Sequence, residues 1–136
     1  MADSRKLFVN LPVRNLQKSK DFFGALGFSF NPQFTDENAA CMVLSDEAFV
    51  MLLQEPYFKT FTKRPTVDAR QQTEGIYALT ADSKAEVDET LKKALAGGAT
   101  EAMPNRDLGF MYSVAFYDLD GHHWEVLWMD PGFVQK

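Results

Sequence analysis

Cysteine is nearly missing from this chain: Cys41 is the only one in 136 residues. A lone thiol cannot close an internal disulfide, so a disulfide-framed secreted module is excluded and a reducing, cytoplasmic setting is expected. Histidine is scarce too, with His122 and His123 side by side and no other. No apolar run approaches the roughly 20 residues of a membrane span. The opening stretch MADSRKLFVN has no apolar core of signal-peptide length. Runs of Lys or Arg are absent and the net charge is -5, which argues against nucleic acid and anionic membrane as partners. There is no Ser-His-Asp signature, phosphate loop or dinucleotide fingerprint.

What the chain does have is apolar and aromatic substance. Apolar residues make up 46% and charged residues 24%, the balance of a soluble globular protein, so a disordered chain is excluded. Twelve Phe are many for this length, and the surplus can line an apolar pocket.

The pattern predicts an ordered series of elements. LFVNLPV (Leu7 to Val13) reads as a strand, and Pro12 points to its end or to a sheet edge. Asn15 suits a helix N-cap. Leu16, Ser19, Phe23 and Leu26 then fall on one helical face, and Gly27 stops the helix. FSFNPQF, ACMVL and AFVMLLQ read as three short strands. A loop or short helix around PYFKTFTK and a polar linker follow. The order then restarts. GIYALTA is a strand, Ser83 and Glu86 make a capping box, and Val87, Leu91, Ala94 and Leu95 form a helical stripe ended by Gly97-Gly98. ATEAM, FMYSVAFYD and HHWEVLW are three more strands, with Asp120-Gly121 at the last hairpin turn. The chain thus reads as one α+β domain over 1–136 built from two βαβββ modules, about 5–62 and about 74–130, joined by a linker over about 63–73. Leu11 matches Leu79 at an offset of 68, and Asp46-Glu47 matches Asp120-Gly121 at 74. A longer second helix is expected to absorb most of the difference.

This order, with LPVRNLQKSKDFFGALGFSF and the hairpin DLDGHHWE, resembles the vicinal oxygen chelate superfamily. That group includes glyoxalase I, extradiol dioxygenases, and fosfomycin and bleomycin resistance proteins. Within it the chain is most similar to short proteins regarded as predicted lactoylglutathione lyases. The resemblance implies that the two modules curl into a U-shaped, incomplete barrel. It also implies that four inward positions hold a metal in the metal-dependent members. Those positions match Phe8, Met51, Ile76 and Glu125. Only Glu125 offers a hard or borderline donor, since Phe and Ile have no lone pair and a Met thioether prefers soft ions. A catalytic zinc needs about three protein ligands. A one-residue slip would present Val9, Tyr77 or Leu52, and a two-residue slip Asn10, a weak ligand.

Glu125 has three readings: a solvated strand carboxylate, a metal ligand, and a general base or hydrogen-bond acceptor, with the last ranked above the metal ligand. An apolar setting beside Phe8, Met51 and Ile76 would desolvate it and suit it to proton abstraction near neutral pH. His123, two residues earlier, shares its face and either extends the site or is a rim residue without a role. His122 shares the face of Trp124, Val126 and Trp128, which is expected to pack on a helix. Asn10 shares the face of Phe8, as a ligand contact or a satisfied strand amide. Tyr112 is a candidate hydroxyl in the cavity, with its strand phase open. Cys41 reads as a buried small apolar residue. The loop PNRDLGFMY is a candidate lid, and its Arg106 a partner for an anion.

The function expected is that of a glyoxalase/bleomycin resistance-like protein. It binds a small organic molecule in an aromatic-lined cavity, with Glu125 as the candidate base. Phe8, Asn10, Met51, Ile76, Tyr112 and His123 are the candidate ligand contacts, and no cofactor is expected. Three alternatives stay open: a metal-dependent glyoxalase-type lyase or dioxygenase using a divalent ion, a non-catalytic drug-sequestering protein, and a dimerisation scaffold. A C2 homodimer is expected, because apolar strands and sheet edges invite pairing.

Overall fold

The computed structural model of the chain describes residues 5–132. Contacts divide it between Thr66 and Val67, inside the expected linker, into two compact units. We call them module one and module two.

Module one begins with strand β1 (Leu7–Val13), followed by helix α1 (Leu16–Ala25). Asn15 caps the helix, its side-chain oxygen accepting from the Lys18 N–H at 3.1 Å. The buried face of α1 is Leu16, Ser19, Phe22 and Phe23, and it packs on the sheet. Strands β2 (Ser29–Phe30), β3 (Ala39–Val43) and β4 (Ala48–Gln54) complete a sheet in the order β1-β4-β3-β2. The strand expected over FSFNPQF is cut to two residues. Pro32 has no N–H for the ladder, and a 3-10 turn over Pro32–Phe34 replaces the strand, its start held by Asn31. After β4 comes the short helix α2 (Glu55–Phe58), as PYFKTFTK suggested.

Module two repeats the plan. Strand β5 (Ile76–Thr80) leads into helix α3 (Lys84–Ala96), then β6 (Thr100–Asp107), β7 (Met111–Tyr117) and β8 (His123–Met129). The sheet order is β5-β8-β7-β6. Ser83 caps α3 by accepting from the Glu86 N–H at 3.1 Å, and Glu86 reaches back one residue further than expected, to the Asp82 N–H at 2.7 Å. Strand β6 runs four residues beyond ATEAM, so the expected lid PNRDLGFMY shrinks to a turn at Leu108–Phe110. Pro104 is tolerated because β6 is an edge strand with irregular register.

The registers of the two modules coincide. On the parallel first and last strands, Phe8 lies opposite Phe49 and Asn10 opposite Met51 in module one. In module two Ile76 lies opposite His123 and Ala78 opposite Glu125. First strands therefore match at an offset of 68 and last strands at 74, the two values read from the sequence. The offset also fits the next strand, where Cys41 opposite Met51 becomes Ala115 opposite Glu125. The difference between 68 and 74 is shared rather than carried mostly by the helix. α3 has 13 residues against 10 in α1, and the other three lie within the β6–β7 hairpin, where β6 is irregular.

Each sheet buries one face under its helix. In module one this face holds Leu11, Val13, Met42, Val50 and Leu52, each at most 2% exposed. In module two α3 packs on β7 and β8, burying Val114, Phe116, Trp124 and Val126 against Val87, Leu91 and Ala94. The opposite, open faces carry the candidate site residues other than Tyr112.

Candidate functional site

The hairpin Tyr117 to Trp128 positions Glu125, and a buried acid holds the hairpin together. Asp118 is 7% exposed. One carboxylate oxygen accepts from the Asp120 and His122 N–H groups, both at 2.9 Å, and the other from the Trp124 indole at 2.9 Å. Burial pushes the Asp118 carboxyl above its usual range, while the nearby His122 and these hydrogen bonds pull it back. Gly121 completes the turn at φ 91°. A Cβ there would lie 2.7 Å from the backbone of Ala69 and Arg70, so only glycine fits. His122, Trp124 and Val126 are buried on the α3 side, as expected for that face.

Side chains alternate along a strand, so Glu125 and His123 point to the other, open face. Glu125 is half-buried. Its neighbours across the sheet are Ala78 on β5 and Ala115 on β7. Two alanines leave space on both sides of the carboxylate, which accepts no hydrogen bond and forms no ion pair among the described residues. His123 stands between Ile76 and Tyr117, with its ring edge-on to the Tyr117 ring at 5.4 Å. Ile76 is 58% exposed on the same face.

Tyr112 does not join this group. It lies opposite Trp128, on the α3 side of the sheet, and its hydroxyl donates to the Asp88 carboxylate of α3. That hydrogen bond, with burial and the Asp88 charge, raises the phenol above its usual range. The register therefore takes Tyr112, a candidate cavity hydroxyl, out of that group. Tyr117, two strand pairs away, presents the phenol on the face of Glu125. Its signal was available in the sequence, since strand residues flanking one hairpin turn share a face when they pair.

In module one, Phe8, Asn10 and Met51 share the open face, as expected. Phe8 is 43% exposed and stacks on Phe49 with ring centroids 4.8 Å apart. Asn10 donates to the Phe8 carbonyl at 3.3 Å, which satisfies part of its amide within its own strand. Met51 lies between Asn10 and the fully buried Cys41, whose thiol is raised by burial.

The four positions that the resemblance assigns to a metal therefore carry two hydrocarbon side chains, one thioether and one carboxylate. This donor set does not fit a catalytic divalent ion. Among the described residues no three His, Cys, Asp or Glu side chains cluster where they could hold one. No helix among them is long and apolar enough to cross a membrane.

Comparison with known proteins agrees with this architecture. Residues 5–45 match the model of the bleomycin resistance protein-like N-terminal family. No curated protein matches the chain. Among solved structures, a hypothetical protein from S. aureus is 26% identical, covers 90% of this chain and 92% of its own, and superposes with a TM-score of 0.77. A glyoxalase-related enzyme from Fulvimarina pelagi is 17% identical, with 91% and 87% covered and a TM-score of 0.77. The fosfomycin resistance protein FosX from Listeria monocytogenes, solved with Mn(II) and sulfate ion, is 20% identical, with 90% and 88% covered and a TM-score of 0.66. The chain thus shares the fold of glyoxalase, bleomycin resistance and dioxygenase family proteins, and its first module is similar to the bleomycin resistance protein-like N-terminal family.

Proposed function

We propose that this protein binds a small organic molecule through the open face of module two. Glu125 acts there as the hydrogen-bond acceptor or general base, without the metal quartet of the metal-dependent members. The observation that supports this most is the state of Glu125: half-buried, flanked by two alanines and without a protein partner. A carboxylate partly removed from water and without a protein partner is available to a donor from outside the chain. Ile76 and His123 are the proposed neighbouring contacts on this face. Phe8, Asn10 and Met51 are the proposed contacts on the apolar face of module one.

The chemistry available to such a group is proton abstraction from a bound hydroxyl or acidic C–H, or simple recognition of a donor. A second reading, sequestration of a drug without chemistry, draws support from the match of residues 5–45 to a bleomycin resistance protein-like module. We further propose a cytoplasmic homodimer, which sedimentation at micromolar concentration tests directly.

The decisive experiment is a screen of small organic molecules by ligand-detected NMR, repeated on Glu125→Gln. Loss of turnover by about 100-fold or more with binding retained would support the base role. Loss of binding alone would support the acceptor role. Ligands and products unaffected by Glu125→Gln would overturn the proposal. So would purified protein holding a stoichiometric divalent ion through three or more of its own atoms.

A further inference from the structure

We infer that the open face of module two selects a ligand with an anionic group at one end and a hydrogen-bond donor at the other, the anion held by Arg106 and the donor by Glu125. The inference rests on the reading of Glu125 given above and names the class of molecule that site takes.

The register of β6 carries it. Met103 lies opposite Ala115 and Arg106 opposite Ser113, so three steps along β6 match two along β7. The extra residue is a bulge, and a bulge re-aims the side chains beyond it. Without it, Asn105 would face Ser113 and Arg106 would turn under α3. The next residue fixes the phase. Asp107 lies opposite Tyr112, and its carboxylate meets Lys84 of α3 at 3.4 Å, on the helix side. Arg106 therefore projects to the opposite side, that of Ser113, Leu127 and Glu125.

Arg106 is exposed and, like Glu125, forms no ion pair or hydrogen bond among the described residues. The two residues are two strands apart and one side-chain pair apart along the strands, about 12 Å between Cα atoms. They form no direct ion pair, and with both side chains standing on the sheet a molecule roughly six heavy atoms long bridges the two heads. The floor between them is low. Ser113 and Ala115 are small and buried, and Ala78 continues the floor beyond Glu125. Met103 and Leu127 supply apolar flanks for the body of the ligand. A guanidinium takes a carboxylate or phosphonate through two parallel hydrogen bonds, which adds direction as well as charge.

The test uses the full chain, labelled with 15N, and three probes: 6-hydroxyhexanoate, its uncharged amide, and 6-methoxyhexanoate. Dissociation constants are read from the amide shifts of Ala78, Ser113 and Ala115. The hydroxy acid is expected to bind on the order of tenfold more tightly than either analogue. Arg106→Gln removes the preference over the amide and keeps the preference over the ether. Glu125→Gln does the reverse. Arg106 is exposed, and an unchanged melting temperature confirms that the variant folds. Equal affinity for acid and amide, a preference that survives Arg106→Gln, or no shift with any probe overturns the two-ended class. Amide binding that depends on Glu125, with no gain for the acid, overturns this inference and leaves the reading of Glu125 standing.

Discussion

Across the open face of module one, one row runs Ser29, Val43, Phe49, Phe8, and the next runs Cys41, Met51, Asn10. At the same places in module two stand Thr100, Tyr117, His123, Ile76, and then Ala115, Glu125, Ala78. The backbones pair in the same register, yet Val43, Phe49 and Met51 have become Tyr117, His123 and Glu125. Burial under the helix constrains one side of each sheet, and Leu11, Val50 and Leu52 answer to Leu79, Trp124 and Val126 there. The open side is constrained at fewer positions, chiefly the buried Cys41 and its counterpart Ala115. Duplicate backbones can thus diverge into an apolar wall and a polar one with no change in pairing, because a strand's two faces are set by independent residues.

The sharpest way to break the comparison is at the last turn. Leu44 donates to the Ala48 carbonyl at 3.0 Å, and Asp118 donates to the His122 carbonyl at 3.0 Å, so the two turns share a bond. Yet Gly121 corresponds to Glu47, which has no positive φ. Gly121→Ala is expected to destabilise the protein by about 3 kcal/mol or more, through the left-handed backbone and the clash with Ala69 and Arg70. Glu47→Gly should stay within about 1 kcal/mol. Urea unfolding of both variants checks the contrast.

Next in size is Asp118, whose counterpart Leu44 is apolar. Asparagine can accept with one atom only, so Asp118→Asn strands either the Trp124 indole or the turn amides, at about 2 kcal/mol. Burial raises the Asp118 carboxyl, so the folded state keeps its proton to higher pH than the unfolded chain. That contribution is complete below the usual Asp range and is lost as pH rises through the raised value. Unfolding midpoints of wild type and Asp118→Asn at neutral pH check the loss caused by the substitution.

The helix caps are an internal control. Asn15 and Ser83 correspond at the 68 offset and make the same bond at 3.1 Å. Alanine at either should cost about 1 kcal/mol, by chemical unfolding. Unequal losses would mean that the modules differ in more than their open faces.

The smallest effect is expected at Tyr77, whose counterpart is Val9. Its phenol donates to Glu74 at 3.1 Å and is pushed up to about 12 by burial, with the charge and hydrogen bond of Glu74 adding to it. The resulting stability is full below the ordinary tyrosine range and is lost as pH rises towards about 12. Tyr77→Phe should therefore flatten the alkaline limb of the stability curve, followed by circular dichroism, and cost about 0.5 kcal/mol at neutral pH through the lost hydrogen bond to Glu74.

Much of this was legible in the residues alone. Element order, both helix caps, the burial of Cys41 and the shared face of Glu125 and His123 follow from periodicity, cap chemistry and the two-residue repeat of a strand. The misses have physical causes. FSFNPQF looked like a strand because its aromatics alternate, but Pro32 removes a ladder donor and starts a 3-10 turn. Tyr112 was misplaced and Tyr117 overlooked because strand phase depends on a register that only the paired partner fixes. Arg106 was read into a loop, PNRDLGFMY, whereas β6 runs through it to Asp107 because an edge strand tolerates Pro104. The bulge that turns Arg106 outward leaves no mark in the composition.

That irregular strand has another consequence. β6 lies at the border of its sheet, where unpaired amide and carbonyl groups would otherwise recruit a foreign chain. A proline lacking the amide proton, together with two breaks in spacing at Glu101–Met103 and Met103–Arg106, denies any incoming strand a continuous template. The distortion that aims a cation therefore also guards this flank of the molecule against amyloid-like stacking.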